Sequence, residues 1–124
     1  VGVSQIDPFF YYYSKLTSRF NVEFRALSLP EFLQSDQTGP TNADLVFLQT
    51  WYDLDDDEKS EIFGKIDRCH PEAQLIYLDW FSPLDLRLSE YLDNRIVKYV
   101  KKQIFTDFAQ YKDATIGATN LVDY

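Results

Sequence analysis

Four short clusters of polar and aromatic residues each follow an apolar run in this chain. They are Ser4, Gln5 and Asp7; Gln49, Thr50 and Trp51; Asp79, Trp80 and Phe81; and Lys101, Lys102 and Gln103. Carboxylates, amides and indoles at the ends of apolar segments are groups that line a ligand cleft, and an indole face can stack on a sugar or an apolar acceptor. Asp53, Asp55, Asp56, Asp57 and Glu58 form the densest acidic cluster. They read either as oxygen ligands for a hard cation or as acids favouring the positive end of a helix dipole, and their spacing is not that of a calcium loop. Cys69 and His70 are adjacent and have no second pair, so they cannot make a four-ligand zinc site. A helix cap and a core sulfur are their simpler reading, and no metal site is expected.

The elements that must position these groups follow from periodicity. Residues 43–48 and 73–78 are near-continuous apolar runs, the pattern of parallel strands covered on both faces. The interval between them accommodates one crossover helix. That helix is predicted to start at Asp55, with Glu58 completing a capping box and Ile62, Phe63 and Ile66 on its buried stripe. Residues 1–6 and 22–27 read as two further strands, and residues 95–100 as a fifth, more polar and nearer an edge. Asp7 and Pro8 open an amphipathic helix carrying Phe9, Tyr13, Leu16 and Phe20, which Asn21 ends. Residues 30–33 make one helical turn. Ser82 and Pro83 cap a helix with Leu84, Leu88, Tyr91 and Leu92, and a last helix bears Ile104, Phe105, Phe108 and Tyr111. Strands alternating with helices imply an α/β fold, a doubly wound, Rossmann-like parallel sheet of about five strands with helices on both faces. Ligands bind such sheets beyond the carboxyl ends of the strands, which is where the four clusters fall.

Composition narrows the function. The 124 residues carry a net charge of −8 and a pI near 4.5, which argues against a general nucleic-acid or anionic-membrane binder. A single cysteine excludes an internal disulfide framework and permits a reducing compartment. No apolar run approaches the roughly 18–20 residues of a membrane span. The glycines at 2, 39, 64 and 117 are isolated, so neither the dinucleotide fingerprint nor a phosphate-binding P-loop is present. Phe9, Phe10, Tyr11, Tyr12 and Tyr13 are consecutive aromatics that suit a sugar platform, a partner contact or an extended core equally. Arg95, Lys98, Lys101 and Lys102 are the one basic cluster, read as an anion site or as a lysine-protected edge strand. The chain begins with Val1 and contains no Met, as expected of a piece of a longer protein.

Residues 43–51, 75–83 and 99–103, together with the ending 115–124, resemble the amino-terminal half of a bacterial polysaccharide-type glycosyltransferase of the GT-B architecture, with two facing Rossmann-like domains. The resemblance implies a single Rossmann-like domain over residues 1–124 of a longer two-domain enzyme of the cytoplasm. It implies glycosyl transfer from a nucleotide-sugar donor, held mainly by the other half, to a glycan or lipid-linked acceptor, with peripheral membrane association compatible with the latter. No cofactor or metal and no nucleic-acid partner is implied. By position, Asp7 and Asp79 are the candidate catalytic carboxylates, either of which could act as base on the acceptor hydroxyl. Gln49, Trp51, Trp80, Lys101 and Gln103 are the candidate substrate-binding residues. The chain departs from the family after Ile6, where the glycine-rich first loop of many members is missing.

A second reading is a degenerate receiver-like module that binds protein. The strand at 43–48 and the lysine after the last strand suit it. Gln5, Ile6, Asp7 and Gln49 occupy the places where an active receiver needs its acidic pair and its phospho-accepting Asp.

Overall fold

The computed structural model describes residues 6–35, 42–51, 53–81, 86, 88–102 and 104–112, which belong to two compact units divided after Gln34.

In the first unit, α1 (Asp7–Tyr11) has Pro8 in its first turn, and α2 (Tyr13–Phe20) follows directly. The expected single helix is therefore interrupted at Tyr12, whose backbone leaves the helical region (φ −95°, ψ 10°). Asn21 takes the left-handed conformation (φ 52°), and the backbone N–H of Val22 reaches the Leu16 carbonyl at 3.1 Å, so the predicted stop at Asn21 is a left-handed cap. Residues 22–27 are coil, not the second strand expected of them. Their β-branched and aromatic content is spent on ring packing instead: Phe24 receives Tyr13, Phe10 and Phe9 edge-on at 5.1, 5.6 and 6.4 Å. That contact engages three of the five consecutive aromatics, of which Phe10 and Tyr13 stay about half exposed, and Tyr11 stays 81% exposed. In α3 (Leu29–Gln34), a capping box joins Ser28 and Glu31. The Ser28 hydroxyl, at 2.6 Å, and then its backbone N–H hold the Glu31 carboxyl below its ordinary value.

The second unit is built on three parallel strands, β1 (Leu45–Leu48), β2 (Gln74–Asp79) and β3 (Lys98–Lys101), hydrogen-bonded in the order β1-β2-β3. The protein is thus mixed α/β with a small open parallel sheet. Of the five strands expected, residues 1–5 lie outside the described residues, and residues 95–97 belong to the turn that leads into β3. The strand order runs without reversal, so the described sheet contains no switch point. β2, the central strand, buries four of its six residues. Among the described residues β1 is an edge strand, and Leu45 and Phe47, two apart on one of its faces, remain 46% and 41% exposed where full cover was expected.

The crossover from β1 to β2 is α4 (Asp56–Cys69), which begins as predicted. Asp55 Oδ1 accepts from the Glu58 N–H at 2.8 Å and Glu58 Oε2 accepts from the Asp55 N–H at 3.0 Å. Asp56 pairs with Lys59 at 2.9 Å, so the acidic cluster is the dressing of a helix N-terminus. Ile62, Phe63 and Ile66 are buried. His70 caps the other end, accepting from the Ala43 N–H at Nδ1 (3.4 Å) and donating its own N–H to Ile66 O (2.8 Å). Arg95 ties α4 to α5 (Ser89–Leu92): its guanidinium lies over Tyr91 and Phe63 at 5.2 and 5.6 Å and pairs with Asp67 at 3.2 Å. α5 is shorter than expected, because Leu88 stands at its N-cap with φ 63° rather than inside it, and Ser82, Pro83 and Leu84 lie outside the described residues. The last predicted helix is a 3₁₀ turn, Phe108–Lys112, with Phe105 and Tyr111 in ring contact at 4.9 Å. Among the described residues, no helix is long and apolar enough to cross a membrane.

Candidate functional site

The carboxyl ends of β1, β2 and β3 bring Thr50, Trp51, Asp79, Trp80 and Lys101 together. Alternation and register explain why. In parallel strands paired residues point to the same side, so Tyr77 with Tyr99 and Asp79 with Lys101 form two successive rungs on one face.

The first rung carries a hydroxyl relay. Thr50 Oγ1 donates to the Trp51 carbonyl at 3.0 Å, which uses its only proton. The Tyr77 hydroxyl, 2.8 Å from the same oxygen, is therefore the donor in that contact. Tyr77 is fully buried. Burial pushes its phenol up to about 12, opposed by the Thr50 hydroxyl, which can turn to donate to a phenolate, and reinforced by the nearby Asp79 charge. The phenol consequently stays protonated and keeps its donor role throughout the neutral range.

The second rung is a buried ion pair. Lys101 Nζ lies 2.7 Å from Asp79 Oδ2, with side-chain exposures of 2% and 0%. Tyr99 donates its hydroxyl to the same oxygen at 2.6 Å, and the Phe81 N–H donates to Oδ1 at 2.8 Å. Two charges in a low-dielectric interior are tolerable only when the remaining lone pairs are engaged in this way. The Tyr77 and Tyr99 rings touch at 5.3 Å, joining the two rungs.

Above the rungs stands a pair of indoles. Trp80 Nε1 donates to the Thr50 carbonyl at 3.4 Å, and its ring meets Trp51 edge-to-face, with centroids 5.7 Å apart and planes at 62°. Trp51 remains 61% exposed, so its apolar surface is presented to solvent while its position is fixed from below. A rigid exposed indole with polar neighbours can stack on the apolar face of a sugar ring or a comparable flat ligand.

The residues singled out from the sequence thus fall into distinct places. Trp51 and Trp80 form the indole pair, Trp51 exposed and Trp80 half-buried. Asp79 and Lys101 lie beneath them, engaged with one another and shut off from solvent. The Gln49 side chain is half-buried, and its Oε1 is buried without a hydrogen-bond partner among the described residues. Asp7 belongs to the first unit, where it is exposed at the start of α1, and Gln103 lies outside the described residues. Lys102 extends the ladder through its backbone N–H to the Asp79 carbonyl at 3.0 Å. Tyr77 and Tyr99 were not foreseen as part of this arrangement. The signal was present in a polar-tipped aromatic two positions before Asp79 and another two before Lys101, on the face those residues must share. Among the described residues, no group of three or more His, Cys, Asp or Glu side chains is arranged to hold a metal ion.

No family model, no curated protein and no solved structure matches this chain.

Proposed function

We propose that this chain is the acceptor-side part of a cytoplasmic glycosyltransferase that moves a sugar from a nucleotide-sugar donor to a glycan or lipid-linked acceptor, its three-stranded sheet forming the centre of a doubly wound domain. The Trp51–Trp80 pair is the observation that carries this reading. A residue whose indole is 61% exposed, whose backbone carbonyl is held by Thr50 and whose ring rests edge-on against a second indole is suited to stacking on an acceptor pyranose. In the transfer, the acceptor hydroxyl attacks the anomeric carbon, its proton passes to a base and the nucleoside diphosphate leaves with the bonding pair. Asp79 does not take that base role in this proposal, because both its oxygens already accept from buried donors.

The test uses the fact that the chain has two tryptophans and hence two indole N–H resonances. Methyl glycosides of glucose, galactose, mannose and N-acetylglucosamine are titrated while both are followed by NMR. A saturable shift of the Trp51 resonance, with the accompanying shift of Trp80 lost in Trp51→Ala, supports the reading. No shift with any of the four glycosides overturns it.

The receiver-like reading has one observation in its favour, a lysine at the end of β3 in contact with a strand-end carboxylate. Gln49 at the end of β1 weighs against phosphoryl chemistry. A large thermal shift with Mg²⁺ and a phosphoryl mimic would favour that module over the transferase.

A further inference from the structure

We infer that Lys101 and Tyr99 are positioning residues for the tryptophan pair and act on it through Asp79; the value of that pair as an acceptor surface rests on the function proposed above. A carboxylate is planar, so holding one oxygen directs the other. Tyr99 and Lys101, two apart on one face of β3, hold Asp79 Oδ2 at 2.6 and 2.7 Å. Oδ1 is thereby aimed at the Phe81 N–H, 2.8 Å away, and closes a turn over residues 79–81. Trp80 is the central residue of that turn. Its indole is delivered to the Thr50 carbonyl at 3.4 Å and lies edge-on to Trp51. The contacts therefore run without interruption from β3 through Asp79 to the exposed ring.

Register does not require this arrangement. Leu75 and Tyr77 on one face of β2 and Leu78 on the other are buried, and a one-residue slip of β2 would exchange the two faces and unmake the packing of both. Nor does stability require it, since well-packed apolar residues commonly replace a buried ion pair without loss. An apolar pair would lack an acceptor for the Phe81 N–H, and the turn carrying Trp80 would lose its anchor. Orientation of the indole is what the charged pair supplies and an apolar one would not.

Two indoles 5.7 Å apart give an exciton couplet in circular dichroism, and because other ring pairs such as Tyr77–Tyr99 also contribute, the part that reports the indole pair is the difference between a protein and the same protein carrying Trp51→Phe. Trp51→Phe defines its absence. The couplet is measured in Lys101→Met and Tyr99→Phe, each against the same variant carrying Trp51→Phe so that the loss of the Tyr99 chromophore cancels, at a temperature where each variant shows a folded baseline before a cooperative melt. The expected result is a loss of roughly two-fold or more in Lys101→Met, because the carboxylate left without its cation reorients, and a smaller loss in Tyr99→Phe. Folded variants with an unchanged couplet would overturn the inference. If Lys101→Met does not fold, Tyr99→Phe decides alone. No sugar enters this measurement: a couplet that falls in a protein whose Trp51 ignores every glycoside leaves the positioning role standing without the acceptor reading. A glycoside-binding protein with an unchanged couplet gives the reverse.

Discussion

Lys101 and Asp79 occupy directly paired positions on neighbouring parallel strands and meet at 2.7 Å with both side chains withdrawn from solvent. Removing one member leaves the other charged, buried and uncompensated. Asp79→Ala is expected to destabilise the protein by about 3–5 kcal/mol. The double variant Asp79→Asn with Lys101→Met, which retains an acceptor for the Phe81 N–H, should cost much less than the sum of the losses in Asp79→Asn alone and Lys101→Met alone. Denaturant melts of the four proteins form the cycle, and additive losses would show that the pair is not coupled.

Tyr77 makes stability depend on alkaline pH. Its phenol has a raised folded-state value of about 12 against an ordinary 10, so the folded protein binds the proton more tightly than the unfolded chain. The resulting stabilisation is complete below pH 10 and is lost as pH rises through 12, with a slope of at most about 1.4 kcal/mol per pH unit. The expected outcome is a wild-type melting curve that declines across this window more steeply than that of Tyr77→Phe. Parallel declines would assign the loss to other groups.

Thr50 links Tyr77 to the tryptophans. Thr50→Val keeps the shape but leaves the buried Tyr77 hydroxyl without its acceptor and the Trp51 carbonyl without the Thr50 donor. The expected cost is about 1–3 kcal/mol, together with increased exchange broadening of the Trp51 indole resonance. A stability loss without any change at Trp51 would confine the relay to the core.

Gln49 offers a change in the opposite direction. A buried acceptor without a donor among the described residues is a net cost, so replacing the amide by the similarly sized Met is expected to raise stability by about 1 kcal/mol. If that gain comes with weaker glycoside shifts at Trp51, Gln49 serves the ligand rather than the fold. A loss of stability would mean that the amide is satisfied in solution.

The start of α4 tests the simplest local rule. Asp55→Ala removes the acceptor of the Glu58 N–H and is expected to cost about 1 kcal/mol in a denaturant melt. A loss well below that figure would show that the acids at 56–58 carry the helix start without the box.

Local chemistry was legible wherever a residue's fate depends on its near neighbours in the chain. Asp55 and Glu58 specify the helix start, Asn21 the stop of α2, His70 the end of α4, and the apolar runs at 43–48 and 73–78 the first two strands of the sheet. The position of Trp51 and Trp80 just after those strands was legible for the same reason. Residues 22–27 show where local pattern fails: a β-branched and aromatic run becomes a strand only with a partner to hydrogen-bond, and here Phe24 packs against Phe9, Phe10 and Tyr13. The burial of Asp79 and Lys101 was equally hidden. A carboxylate and a lysine read as polar cleft residues until the register of β2 on β3 places them side by side, with Tyr99 and the Phe81 N–H filling the remaining valences. Charge is a property of the residue, whereas its desolvation and pairing belong to segments 22 residues apart in the chain, and only the tertiary structure brings those together.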